Sequence, residues 1–209
     1  MALNQITVGS PSNNSNSDGS TVTALGGKQG ETVVTELHGK YAILNYRGSV
    51  FTFNVTGVTV PVNAATLVSV FSLWNPTNSG KNAELICFDY GTVLATTVVD
   101  TVGLYYSTGP AALAGTFTTA GTARSGLVGG SPSNVALPYS AYTHSGTPIR
   151  HSILGFFGAV TTTNALPGHI EFDGRVLVPP GTVVSVAMST AAGTASGMDL
   201  GLTWAEVPV

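Results

Sequence analysis

Over residues 198–206 apolar and polar positions alternate without a slip. Met198, Leu200, Leu202 and Trp204 fall on one side; Asp199, Gly201, Thr203 and Ala205 fall on the other. Successive residues of a strand face opposite sides of a sheet, so this pattern predicts a strand with one buried face. The same beat sets Phe51, Phe53 and Val55 against Thr52, Asn54 and Thr56. Gly57 then breaks the phase and Val58 and Val60 resume the apolar side, which predicts a bulge or tight bend. Residues 67–74 and 151–160 are apolar on both faces, as strands covered by a layer on each side would be. Further strands are predicted at 83–90, at 93–106 with a split near 100–103, at 168–178 and at 182–188, with a short one at 31–37. Asn75-Pro76-Thr77-Asn78-Ser79-Gly80 and Pro179-Pro180-Gly181 are turn chemistry. A helical 3.6-residue period hardly appears.

About eight to ten strands with turns at short intervals predict an all-β chain, either a jelly roll or another antiparallel sandwich. Length, strand count and long loops favour the two-sheet, jelly-roll-like form. Residues 1–30 read as an N-terminal arm, partly extended. Within it GSPSNNSNSDGS at 9–20 buries too little apolar area to offset its ordering entropy, so the arm is expected to be flexible. Residues 31–209 read as one sandwich domain. A Gly/Ala/Thr-rich excursion at about 107–148 interrupts it: residues 107–135 as a long loop or weak strand pair, and 137–148, with Pro138, Pro148 and two tyrosines, as a passage over the surface.

Composition adds one unusual fact. Of 209 residues, seven are Lys or Arg and ten are Asp or Glu, 8% charged where about 25% is usual. Charge is what normally keeps soluble monomers apart, so such a surface predicts association with copies of itself or with a larger assembly. The basic residues are scattered rather than clustered, which argues against direct nucleic-acid binding. No run approaches 18 apolar residues, so no membrane span is expected. Residues 1–9 lack the basic start and apolar core of a signal peptide. The single cysteine, Cys87, lies in the apolar run 85–88 and reads as a small buried hydrophobe.

Candidate chemistry is sparse. Of His38, His144, His151 and His169, none forms a closely spaced zinc pair. His169 and Glu171 place two ligand types on one strand face, but the pattern of the cupins, which are metal-binding jelly rolls, wants His-x-His and a later His. Residue 171 is Glu, and no His follows 169. A solvated or inter-subunit polar face carrying His169, Glu171, Asp173 and Arg175, opposite Ile170, Phe172, Val176 and Val178, accounts for them, so no metal, cofactor or catalytic set is expected. Ser79-Gly80-Lys81 ends like a phosphate loop, yet positions 75 and 82 are both Asn where Gly and Ser or Thr are needed. Glu84 with Asp89, or Glu171 with Asp173 about 7 Å apart by strand spacing, are carboxylate pairs better read as solvated strand residues. A sugar-binding alternative draws on Tyr139 and Tyr142, with Trp74, Tyr105 and Tyr106, as stacking platforms.

Three stretches carry a resemblance: Glu36-Leu-His-Gly-Lys-Tyr41 with Tyr46-Arg-Gly48; Leu73-Trp-Asn-Pro76 with Ser79-Gly-Lys-Asn82; and Pro180-Gly-Thr182 with Leu202-Thr-Trp-Ala-Glu-Val-Pro208. Together the chain resembles structural proteins of tailed bacteriophages. The resemblance implies a non-enzymatic virion component made in the host cytoplasm: a capsid decoration (cement) protein or another surface piece. It implies self-association, with a homotrimer expected, and docking on the major capsid protein or other virion proteins. The alternative it leaves is a fibre or tail module that binds a host-surface glycan. The residues expected to serve assembly are Asn4, Ile6 and Val8 in the arm, with Tyr139, Tyr142 and the low-charge segment 107–135.

Overall fold

A computed structural model describes residues 25–26, 32–33, 39–93, 100–157, 167–189 and 197–209. Two compact units divide the chain, 1–40 and 41–209. In the first, β1 (Leu25–Gly26) pairs antiparallel with β2 (Thr32–Val33). The assembly residues Asn4, Ile6 and Val8 lie outside the described residues.

The second unit begins with a single-turn helix, α1 (Ala42–Tyr46), closed by Gly48 at φ +70°, a left-handed position that favours glycine. It continues through β3 (Val50–Thr59), β4 (Val68–Ser69), β5 (Ser72–Asn75), β6 (Lys81–Thr92) and β7 (Asp100–Thr108). Then come α2 (Gly109–Leu113), β8 (Thr116–Ala120), β9 (Arg124–Ser125) and β10 (Leu137–Thr143). The last four strands are β11 (Ile149–Phe157), β12 (Pro167–Val178), β13 (Thr182–Met188) and β14 (Gly197–Pro208). A five-stranded sheet has the order β12-β6-β14-β3-β9, and a seven-stranded sheet the order β11-β7-β13-β5-β10-β4, with β8 on β10.

The pairing among the long strands is nested. β3 pairs with β14, β5 with β13, β6 with β12 and β7 with β11, all antiparallel. First with last, second with second-last: this is one long hairpin wrapped into two sheets, the jelly-roll form of an all-β sandwich.

The core fills the space between the sheets. From β14 come Met198, Leu200, Leu202 and Trp204, each at most 2% exposed. They pack in one cluster with Phe51 and Phe53 of β3, Leu85 and Phe88 of β6, Val102 and Leu104 of β7, and Val184, Val186 and Met188 of β13. Phe53 stacks on Phe71 at 4.9 Å, and Phe71 meets Phe88 edge-on at 6.0 Å. The predicted phase break is a bulge: Gly57 has φ +62°, and between the pairs Met198↔Val58 and Leu200↔Val55 two residues of β3 oppose Asp199 alone. Gly181, at φ +78°, supplies the turn between β12 and β13.

The segment from 109 onward is not an excursion over the surface. β10 is an interior strand of the seven-stranded sheet, β9 extends the five-stranded sheet beyond β3, and β8, which with α2 precedes β9 in sequence, pairs with β10. Trp74, Ala112, Tyr142 and Val183, with Phe117 and Tyr139 against them, make a second small core. Small residues in 107–135 hid this because their packing surface is supplied by aromatics elsewhere. Gly115, for example, is covered by the Tyr142 ring, which a Cβ there would strike.

Glu206 ties this insertion to the sandwich. Its buried carboxylate accepts hydrogen bonds from the backbone N–H groups of Val135 (2.6 Å) and Ala136 (2.8 Å) and from Lys81 Nζ (3.1 Å). At the same end, buried Asn75 donates through Nδ2 to the carbonyls of Lys81 and Val178, both at 2.8 Å.

Trp204→Ala leaves an aromatic-sized cavity and lowers unfolding stability by about 4 kcal/mol, which calorimetry reads as a Tm drop of about 10 °C for a domain of this size. Glu206→Ala strands the part-buried Val135 N–H, the buried Ala136 N–H and a lysine, and denaturant titration shows a loss of about 3 kcal/mol.

Candidate functional site

Several ionisable side chains gather on the side of the five-stranded sheet turned away from the core. Two cross-strand rows define it. His169 of β12 is the ladder partner of Asp89 of β6, Asp89 of Gly201 of β14, and Gly201 of Asn54 of β3. In the next row Glu171 pairs with Cys87, Cys87 with Thr203, and Thr203 with Thr52. Direct antiparallel partners lie about 5 Å apart and i, i+2 neighbours about 7 Å. Cys87, Asp89, His169 and Glu171 therefore occupy the corners of one small rectangle.

Their polar atoms converge. His169 Nδ1 lies 2.6 Å from Asp89 Oδ1, and its Nε2 lies 3.6 Å from Glu171 Oε1. Donor atoms of Cys87, Asp89 and His169 all fall within 4.8 Å of one another. The hydrogen bond to Asp89 raises the His169 pKa above its ordinary value, with Glu171 adding to the effect. The Cys87 thiol is also pushed up, by burial first and then by the carboxylates of Asp89 and Glu171, against a lowering hydrogen bond from Thr203.

Beside the rectangle runs an open groove of about 590 Å³, lined by Asn54, Thr56, Asp89, His169, Asp199 and Gly201 among others. That lies within the range of small-ligand sites. Gly201 makes the depression: a side chain there would meet Asn54 Oδ1 at 2.5 Å. Asp199 is held by accepting the Gly57 N–H at 2.8 Å, so the β3 bulge also shapes the rim.

Several sequence readings change. Cys87 is not a buried core residue; it is half-buried on the polar side. The reason is a register shift that leaves Ile86 as an extra residue between the pairs Trp204↔Leu85 and Thr203↔Cys87. Leu85 and Phe88 then both face the core while Cys87 and Asp89 face away. Nor do His169, Glu171, Asp173 and Arg175 continue one regular face. Four residues, Phe172 to Arg175, bulge out of β12 between Glu171↔Cys87 and Val176↔Leu85, with Asp173 at φ +53° and Gly174 at φ +77°. The Arg175 guanidinium folds back onto the carbonyls of Phe172 and Glu171. Glu84 is opposite Leu177 and Asp89 opposite His169, so these two carboxylates are not ladder partners.

Tyr142 is unavailable for stacking on a sugar. It is fully buried, its hydroxyl donates to the Ala112 carbonyl at 3.0 Å, and burial pushes its pKa to about 12. Tyr139 is half-buried with its ring 4.8 Å from Phe117. The remaining histidines separate widely in role. His38 lies outside the described residues, and His151 is exposed on β11. His144 is 1% exposed and bridges Ser107 Oγ at Nδ1 and Ser185 Oγ at Nε2, both at 2.8 Å; Ser185 continues to Ser72 at 2.8 Å. With hydroxyls and no carboxylate in this buried chain, it fastens β7, β10, β13 and β5 together rather than exposing a nucleophile.

No helix among the described residues is long and apolar enough to cross a membrane. No protein family, no curated protein and no solved structure was found to match the chain.

Burial lowers the His144 pKa from 6.5 to about 4. The unfolded chain therefore binds a proton that the native state refuses, and stability present above pH 6.5 is lost as pH falls towards 4. The loss amounts to about 3 kcal/mol. Urea titrations across that window should show it, and His144→Gln should flatten the slope by one proton. His169, whose pKa is raised, acts with the opposite sign as pH rises above 6.5, weakly because the ring is exposed.

Proposed function

We infer that this chain is a non-enzymatic structural protein of a virus particle, a capsid decoration protein or comparable surface component, that works by self-association. One observation carries the reading. β11 ends the seven-stranded sheet, and its Ile149, Ile153 and Phe156 are 60%, 59% and 65% exposed. Ile153 and Phe156 stand opposite Gly103 and Thr101, whose small side chains leave them uncovered on that side by β7. Among the described residues no strand pairs with the outer side of β11, and an apolar edge strand is a template for another chain. With 8% charged residues, little electrostatic repulsion opposes a second copy. The likeness of 36–41 with 46–48, 73–76 with 79–82, and 180–182 with 202–208 to phage structural proteins supports reading that association as one on a virion, with the homotrimer as the oligomer and other virion proteins as the docking partners.

Light scattering coupled to size exclusion tests this. The wild-type chain should elute as a small closed oligomer, and Ile153→Lys with Phe156→Asp should raise its dissociation constant about thirtyfold or more. A wild-type monomer at high concentration overturns the reading.

A host-surface glycan is the second reading, and it moves from the tyrosines to the ligand-sized groove lined by Asn54, Asp89, His169 and Asp199 with Val55, Tyr90, Pro167 and Leu200, a mostly apolar wall with a few polar groups at it. Gly201→Val fills that groove. Glycan-array binding that vanishes in this variant, with the oligomer unchanged, would select it.

A further inference from the structure

We propose that Cys87, Asp89 and His169 form a binding site for a zinc-class divalent cation, with three protein ligands, a fourth position open to water, and Glu171 positioning the imidazole. The site is distinct from the apolar edge of β11 and does not depend on self-association.

Geometry carries the proposal. The ladder places the three donors on adjacent strands, Cys87 and Asp89 at i, i+2 on β6 and His169 directly across from Asp89. Their ligand atoms already lie within 4.8 Å of one another, so small rotamer adjustments bring all three to about 2.0–2.3 Å from one ion. Asp89 Oδ1 and His169 Nδ1, 2.6 Å apart, share a proton that the ion replaces. Glu171 Oε1, 3.6 Å from Nε2, is on the far side of the ring from Asp89. A carboxylate there accepts the remaining ring N–H and fixes the tautomer that leaves Nδ1 free to ligate, the arrangement found behind metal-bound histidines.

The donor chemistry selects the class of ion. Calcium and magnesium require six or more oxygens, and this corner offers one thiolate, one imidazole and a carboxylate. Thiolate with imidazole favours zinc. Charge points the same way. Glu171 stands directly across the ladder from Cys87 and Asp89 two residues along, so the corner gathers two carboxylates beside the sulfur. A dication offsets that negative charge. Binding releases the Cys87 thiol proton and, where His169 is protonated, its Nδ1 proton; no electron moves. Uptake is therefore steeper at higher pH.

The test uses the full chain stripped of metal, titrated with Co²⁺ and then Zn²⁺. The expected result is one Co²⁺ per chain, with a thiolate-to-cobalt charge-transfer band and four-coordinate ligand-field bands, both abolished by Zn²⁺. Cys87→Ser should remove the charge-transfer band. Cys87→Ser and His169→Ala should each weaken uptake by more than about tenfold, the least that a lost outer partner costs. Glu171→Gln should weaken it by about tenfold while keeping the band, the signature of positioning rather than ligation. Far-UV circular dichroism confirms that the variants fold. His169→Gln, on a side chain 53% exposed, provides a second probe if His169→Ala does not. No uptake at micromolar free Co²⁺ overturns the proposal. So does uptake that shows no thiolate band and is indifferent to Cys87→Ser.

Discussion

Burying the Met198–Trp204 side of β14 is the constraint on which the rest of the molecule depends. β14 is bonded to β3 on one edge and to β6 on the other, so its inward side chains set the depth of the core for three strands at once. Once those four residues face the other sheet, Asp199, Gly201 and Thr203 must face away. Their ladder partners then follow. Asp89, Cys87 and Asn54 are drawn to the outer side by register, and His169 and Glu171 arrive with them from β12. The polar corner is thus a consequence of how the core is filled.

The sheet edges receive different treatment. β9 and β10 extend both sheets beyond β3 and β5, and buried Glu206 holds the chain between them through two backbone amides and Lys81. The β12 edge is broken by the Asp173-Gly174 turn, which interrupts the run of open backbone groups. β11 keeps its pairing with β7 through two register shifts and still leaves large apolar side chains in solvent. That contrast leaves β11 an apolar, exposed edge among the described residues.

Scarcity of charge gives the remaining ionisable groups more weight. His144 is enclosed by hydroxyls and kept neutral, while His169 is flanked by carboxylates and held towards its charged form. The same residue type thus serves in one place as a fastening inside a sheet and in another as the hub of an anionic corner. The environment decides which.

What could be read from the sequence was whatever repeats locally. Two-residue alternation located β3, β12 and β14 to within a residue or two, and the Pro179-Pro180-Gly181 turn marked the start of β13. A phase break marked Gly57 and turn chemistry Gly181. Of the two double-sided apolar runs, 67–74 forms β4 and β5, with Leu73 facing the main core and Trp74 the second one, whereas 151–157 lies in β11 at a sheet edge with Ile153 and Phe156 exposed rather than covered. The site was half legible: His169 and Glu171 stood out on one strand face, but their partners did not. Cys87 and Asp89 lie some eighty residues earlier, and the extra residue Ile86 inverts the phase that a strict alternation assigns to them. Tyr142 misled for the same reason, since nothing near it in sequence reveals that Gly115 and Ala112 close over its ring. Alternation is a property of one strand and survives in the linear chain. Register between strands, and the bulges that shift it, are settled only when distant segments compete to bury their side chains together.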